Sequence, residues 1–219
     1  MLAVALRKFV AGVVIIGALL FLSAGTLAWW RGWLLMGILF VPMLLAGLVM
    51  LRKAPDLLQK RLQANETESE QRMVQRLSGL MFVAAFVVAG LGYRFGWPAF
   101  SDAVSKVAAV VFLVAYALYA EVMRENAYLS RTVEVQAGQQ VVDTGLYGVV
   151  RHPMYSVTLL LFFSMPVVLG SPFACVIMLA YIPIIVARIR NEEKVLARGL
   201  KGYAQYQLRV RWRLVPFVW

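Results

Sequence analysis

The run Gly145-Leu146-Tyr147-Gly148-Val149-Val150-Arg151-His152-Pro153-Met154-Tyr155 gathers polar and aromatic residues where the chain turns apolar, and it holds the only histidine. His152 precedes a proline, which biases it away from helical backbone and lets Pro153 open the next helix. Such a turn aims helix-start amides and the imidazole toward a place where an anionic group can bind. Further on, the chain leaves an apolar stretch through Arg188-Ile189-Arg190-Asn191-Glu192-Glu193. Arg188 and Glu192 are four apart and share a helix face. Taken alone they are an ordinary surface ion pair worth about 0–1 kcal/mol. Set at the same end of two antiparallel helices, however, Tyr155, His152, Arg188 and Glu192 can converge on one pocket. Ionisable groups at membrane depth are functional candidates.

The elements that must carry these groups are apolar. Hydrophobic residues make up 62% of the chain and charged residues 15%, with a mean hydropathy of +0.75, more apolar side chain than a soluble core can bury. The composition predicts an all-α integral membrane protein of about six transmembrane helices, over 9–30, 33–51, 77–95, 104–123, 155–170 and 173–187. Each is near the ~17–25 residues of a spanning helix, the last two being short. Those two read as a hairpin pinched at Gly170-Ser171-Pro172. The first span follows Arg7 and Lys8 but is longer than a signal-peptide core of about 7–15 residues, so it is expected to be retained. Cys175 is the single cysteine; it reads as a packing residue, and no Cys/His metal site is expected.

Charge sets the expected orientation. Basic residues concentrate in 52–76 and 188–213, whereas the loops at 30–33, 94–106 and 170–172 hold few cations. By the positive-inside rule both termini lie in the cytoplasm, in an integral cell (inner) membrane. The net charge of +11 then reflects basic loops facing anionic lipid, and no nucleic-acid partner is expected. Trp29, Trp30 and Trp33 read as an interfacial belt. Residues 55–76 alternate charged positions with Leu57, Leu58, Leu62 and Met73, compatible with an amphipathic helix on the membrane surface or a solvated connector.

From Glu125 to Tyr155 the composition becomes polar, in a stretch too long for a tight turn and too short for a domain. It is expected to fold over the cytoplasmic helix ends as a lid, with turns at Gly138 and Gly145 and anchors at Val133, Val135, Val141, Val142 and Leu146. Two parts are expected: a transmembrane scaffold over 1–124, with four helices and the connector, and a catalytic subdomain over 125–219.

Arg151-His152-Pro153-Met154-Tyr155, Gly170-Ser171-Pro172, Arg188 with Glu192-Glu193, Gly202-Tyr203 with Tyr206, and Arg211 ahead of Leu214-Val215-Pro216-Phe217 together resemble the C-terminal half of isoprenylcysteine carboxyl methyltransferases and their prokaryotic relatives. The resemblance implies methyl transfer from S-adenosylmethionine within the membrane, the cofactor lying under the polar segment and a lipophilic or prenylated acceptor arriving from the bilayer. It implies cofactor contacts at Gln136, Gln139, Gln140, Val141, Val142, Tyr147, His152, Pro153, Met154, Tyr155 and Glu192, and Arg188 as the catalytic residue facing the acceptor. These residue types suit such a cofactor, since adenine needs a flat apolar slot, the ammonium and ribose an acceptor such as Glu192, and the cofactor carboxylate donors. In-line methyl transfer needs positioning and desolvation more than an acid or a base.

Three readings compete. One is a methyltransferase for a lipophilic carboxylate, for which a cation such as Arg188 should bind the acceptor. A second methylates an amine head group, a thiol or an isoprenoid; an amine would favour a nearby carboxylate such as Glu193. A third is a non-enzymatic membrane protein, although a transporter would show inverted halves, and the two halves here differ in polarity. Membrane lipids are expected partners, and no obligate protein partner is evident.

Overall fold

The computed structural model describes residues 2–53, 55, 58, 59, 69–126, 128, 129 and 135–219. These residues form helices and connecting loops: α1 (Leu2–Ala24), α2 (Trp30–Lys53), α3 (Ser69–Arg94), α4 (Asp102–Glu125), a 3-10 turn (Gly145–Gly148), α5 (Pro153–Val168), α6 (Pro172–Met178), α7 (Tyr181–Gly199) and α8 (Tyr203–Arg209). The amphipathic helix expected over 55–76 falls mostly outside the described residues, as does the anchor expected at Val133.

Among the described residues, five stretches are long and apolar enough to cross a bilayer: Leu2–Ala24, Trp30–Lys53, Arg72–Arg94, Asp102–Glu125 and Pro172–Gly199. The sixth expected span, α5, has 16 residues, about 24 Å of helix against a hydrocarbon core of about 30 Å. It is therefore shorter than a helix that spans such a core alone. The surface agrees with that setting, since Leu22, Leu80, Val107, Val110 and Val176 stand exposed on the outside of the bundle. A water-soluble protein does not present apolar side chains over whole helix faces.

Local chemistry explains the helix boundaries. Gly25 takes φ 69° and closes α1 at Ala24, earlier than the expected end at 30. Ser101 caps α4 by accepting from the Val104 amide at 3.4 Å, and Ser171 caps α6 by accepting from Ala174 at 3.2 Å, with Pro172 in the first turn. Gly170, at φ 77°, makes the tight link between α5 and α6. The last span is broken at Leu179-Ala180, and α7 continues to Gly199, well past the expected limit at 187.

Packing is set by small residues. Ala85 and Ala89 on α3 and Ala108, Ala109 and Ala115 on α4 are buried among Leu20, Phe21, Phe86 and Phe112, which lets helix backbones approach closely. α4 lies along α5, α1 along α3, and α3 along α6. The tightest approach of α1 and α3 is at Gly90, where a Cβ would stand 1.9 Å from Ser23 Oγ and 2.8 Å from the Leu20 carbonyl oxygen. The belt expected of three tryptophans is corrected at Trp29, which is 1% exposed and stacked on Tyr93 at 5.2 Å, whereas Trp30 and Trp33 reach the surface.

Gly90→Ala is expected to push α1 from α3 and cost about 1–3 kcal/mol. Gly79→Ala, with nothing within 4 Å of the new methyl, is expected to be neutral or to gain up to about 1 kcal/mol of helix propensity. Unfolding of the two variants in detergent measures the difference, and equal stabilities would contradict the close approach.

Candidate functional site

The start of α5 is fastened to the tail of the chain. The Arg151 amide donates to the Trp212 carbonyl at 2.8 Å, and the His152 amide to the Arg213 carbonyl at 2.9 Å. Ser156 Oγ donates to the Leu214 carbonyl at 2.6 Å, and the Arg151 guanidinium donates to the carbonyls of Val210 and Arg211 at 2.8 and 2.9 Å. The amides of Tyr155 and Ser156 return to the His152 carbonyl, and Pro153 has none to offer. Thus the helix-start amides expected to face an anion are largely spent on the protein itself.

Under this turn lies a buried charged cluster. Glu193, 7% exposed, accepts from Arg151 Nε at 2.8 Å, from Arg213 Nε at 2.8 Å, and stands 3.2 Å from His152 Nε2. A carboxylate is tolerated at such depth only when its lone pairs are filled by donors and countercharge. Glu193 is consequently occupied, and the role considered for it toward an amine acceptor lacks support.

Its neighbour Glu192 points elsewhere. The Tyr155 hydroxyl donates to Glu192 Oε2 and accepts from Arg188 Nε at 2.8 Å, with the guanidinium 5.9 Å from the Tyr155 ring centre. Arg188 and Glu192 are thereby joined through one phenol. Together they edge a cleft of about 100 Å³ whose lining includes Gln139, Gln140, Val141, Val142, Tyr147, His152, Met154, Tyr155, Arg188 and Glu192. One cleft therefore brings together nearly every residue expected at the site.

Two residues stand apart. Pro153 is fully buried beneath the turn, where its ring shapes the helix start. Gln136 faces the wall: its amide side chain donates to the Tyr128 carbonyl at 2.6 Å, and its backbone amide donates to Gln139 Oε1 at 2.9 Å. The Gln139 amide also closes a turn onto the Gln136 carbonyl, with Gly138 at φ 73° in the position that needs positive φ. Gln136 is spent on making this turn, which the spacing of the glutamines alone does not disclose.

The loop after it forms the roof. Val135 and Val141, with Leu196, pack against the cluster of Leu200, Tyr203, Tyr206 and Val210, while Val142 and Leu146 join the main core. This agrees with the polar segment folding over the helix ends. The Tyr206 hydroxyl donates to the Tyr147 carbonyl at 2.7 Å, tying α8 to the 3-10 turn. Burial raises the Tyr147 phenol above its ordinary pKa, against a hydrogen bond with Asn126, and Glu192 pushes it further up.

Tyr203 is not among the residues expected to bind. It lines the cleft, is 4% exposed, and its hydroxyl is buried without a hydrogen-bond partner. Burial and the charges of Glu193 and Glu192 raise its pKa, so it is a protonated donor awaiting an acceptor. The available signal was the three-residue spacing of Tyr203 and Tyr206, which share a face of α8.

An adenosyl amino-acid cofactor fits this donor set. The apolar wall of Val141, Val142 and Met154 suits a flat base, Glu192 suits an ammonium or a diol, and the unpartnered Tyr203 hydroxyl needs an acceptor such as a carboxylate or ring nitrogen. The volume lies below the ~300 Å³ at which ligand pockets usually begin. The model of the isoprenylcysteine carboxyl methyltransferase (ICMT) family matches residues 106–198, from α4 through the cleft to the end of α7. No curated protein matches the chain.

Glu193→Ala is expected to leave Arg151 as an uncompensated buried charge and to cost about 3–5 kcal/mol. Denaturant unfolding in detergent checks this, and a loss below about 1 kcal/mol, the range of an exposed pair, would remove Glu193 from the framework.

Proposed function

We propose that this chain, a membrane methyltransferase of the isoprenylcysteine type over residues 106–198, binds S-adenosylmethionine in the cleft beneath the 136–147 segment and methylates a lipophilic carboxylate. The observation that carries this reading is the Arg188–Tyr155–Glu192 chain of hydrogen bonds, which sets a cation and an anion on one edge of a cleft whose lining mixes Gln139, Gln140 and His152 with apolar and aromatic groups. When bound, the cofactor supplies an electrophilic methyl group on a sulfonium. Both termini are placed in the cytoplasm, so that a water-soluble cofactor enters from the basic side. Residues 1–124 act as the scaffold and 125–219 as the catalytic part.

Within this reading each side chain has one role. Glu192 accepts from the ammonium or ribose, and Tyr203 donates to a cofactor acceptor. Arg188, one helical turn before Glu192 and nearer the hydrocarbon, holds an acceptor carboxylate, for which a planar guanidinium offers parallel donors. Tyr155 keeps Arg188 and Glu192 at fixed separation, and its hydroxyl blocks their collapse into a direct ion pair. No proton has to move for a carboxylate to accept a methyl group. The roof and the apolar walls exclude water, which both strengthens these polar contacts and shields the methyl donor from hydrolysis. An amine acceptor is disfavoured by the occupancy of Glu193.

Tyr203→Phe separates a binding role from a structural one. The free protein is expected to be as stable as wild type or slightly more so, because the lost hydroxyl has no partner. Affinity for S-adenosylhomocysteine is expected to fall by about 0.5–1.5 kcal/mol, and in Glu192→Ala by about 1–3 kcal/mol. Calorimetric titration in detergent reads both, and unchanged affinity in both variants would contradict the assignment.

Arg188→Ala is expected to keep cofactor affinity within about threefold, roughly 0.6 kcal/mol, while abolishing turnover of an acidic lipophilic acceptor. Arg188→Lys, which keeps the charge but loses the fork, is expected to remain impaired. The assay follows labelled methyl from S-adenosylmethionine into a prenylated carboxylate in micelles. Loss of cofactor affinity in Arg188→Ala as severe as in Glu192→Ala would make Arg188 a cofactor or framework residue and remove the argument for a carboxylate acceptor.

A further inference from the structure

A cavity of about 320 Å³ at the opposite end of the bundle, lined by Tyr93, Trp97 and Asp102 among others, has its charges paired within the protein, since Arg31 donates to Asp102 Oδ1 at 2.7 Å. Apolar surface left outside the fold lies instead at the cleft end, on the loop over 213–219.

This loop is held in one shape. The amides of Arg213, Leu214 and Val215 donate to the Trp219 main-chain oxygen at 2.9, 2.9 and 3.3 Å, and the amides of Val218 and Trp219 donate to the Val215 carbonyl, each at 3.1 Å. Leu214 is buried in the main core, and its carbonyl accepts from Ser156 Oγ at 2.6 Å. The Arg213 guanidinium lies 5.2 Å from the Trp219 ring centre while donating to Glu193. The tip nevertheless stands outside. Phe217 is 86% exposed and Val218 75%, with Val215 exposed beside them. Phe217 sits at φ 65°, and among the described residues it is the one non-glycine at positive φ. For a bulky side chain that conformation is strained, and strain persists only where the surroundings impose it. Single exposed apolar residues are ordinary, but three on one rigid, strained turn form a patch with a partner to meet.

The height of the loop identifies that partner. On α7 the apolar run Tyr181–Ala187 gives way to charge at Arg188, which marks the edge of the hydrocarbon. Tyr155 bonds Arg188 at 2.8 Å, and its neighbour Ser156 holds Leu214, so the loop is level with that edge. Arg213 reaches Glu193 instead, about 7 Å further along α7 from Arg188. The chain therefore descends from headgroup height at Arg213 toward hydrocarbon at Leu214. Its rings suit that depth, for Trp212 lies against Phe217 at 5.4 Å, and with Trp219 they form an aromatic group of the kind that gathers at a membrane interface. Arg211, exposed next to Trp212, supplies a cation for lipid phosphate.

We propose that the loop over 213–219 is an interfacial anchor, with Val215, Phe217 and Val218 entering the acyl boundary of the leaflet on the cleft side and Arg211 staying among its phosphates. Apolar groups anchored in this way sink about 5–10 Å into the boundary. Because the loop is bonded to Glu193 and to the first turn of α5, it fixes the depth of the cleft mouth in the bilayer. The anchor does not depend on what the cleft binds.

Spin labelling of the full chain tests this. Cys175→Ser removes the single cysteine, and Phe217→Cys, Val218→Cys, Val14→Cys and Lys194→Cys are each introduced in that background, labelled and reconstituted in vesicles of phosphatidylcholine and phosphatidylglycerol. Power saturation compares relaxation by oxygen, which concentrates in hydrocarbon, with relaxation by a water-soluble nickel chelate. Val14, exposed in the middle of α1, sets the lipid value, and Lys194, exposed just past Glu193, sets the aqueous one. At 217 and 218 the ratio of oxygen to nickel relaxation is expected to exceed that at 194 by about threefold or more, as for side chains below the headgroups. A ratio at either position no higher than at 194 overturns the proposal. Dipolar broadening at 217 that vanishes on dilution with unlabelled protein would make the loop a contact between two copies, and overturns it as well. If Phe217→Cys does not fold, Val218→Cys decides on the same terms.

Discussion

One buried carboxylate organises the functional end of this molecule. Glu193 receives Arg151, Arg213 and His152, and so joins α7, the first turn of α5 and the tail. A carboxylate in that position without its donors would cost several kcal/mol, so the three segments are stable only together. The visible site follows from this bond set. Glu192 is the adjacent residue on α7 and Tyr155 lies one turn beyond His152, so locking Glu193 and His152 also places the pair that edges the cleft. Arg151, through its guanidinium, then holds the tail by the carbonyls of Val210 and Arg211.

The bilayer accounts for where polar groups collect. Through the middle of the bundle the helices meet through alanine, glycine and aromatic side chains, because hydrocarbon gives no reward for burying apolar surface and close packing must supply the attraction. Polar chemistry is pushed to the two ends. Among the described residues the two buried side-chain atoms without a partner, Tyr203 Oη and Trp29 Nε1, belong to residues at opposite ends of the bundle. Unmet buried donors are a cost to the folded protein.

Much of this was legible from residue order. Apolar run lengths disclosed the spans, and Gly170-Ser171-Pro172 disclosed the pinch, since cap and turn chemistry is local. The convergence of His152, Tyr155, Arg188 and Glu192 followed from two antiparallel helices sharing an end. The rest depended on which partner lies across from a residue. Glu192 and Glu193 are consecutive, yet helix geometry turns them about 100° apart, and only the position of Arg151 and Arg213 decides which one faces the cleft. Trp29 and Trp30 are likewise adjacent, and the stacking of Tyr93 decides which is buried. Gln136 and Gln139 looked equivalent by composition, but the turn at Gly138 uses Gln136 in the wall. Tyr203 was hidden because an unmet hydroxyl is a property of its surroundings.

The central claim is that the cleft between α5, α7 and the 136–147 segment is the cofactor site. Hydrogen exchange of the purified protein with and without S-adenosylhomocysteine tests it most directly. Ligand is expected to slow exchange of backbone amides across 136–147 and at the end of α7, while amides around Tyr93, Trp97 and Asp102 at the opposite cavity stay unchanged. Protection confined to that opposite end, or no protection anywhere at saturating ligand, would contradict the account.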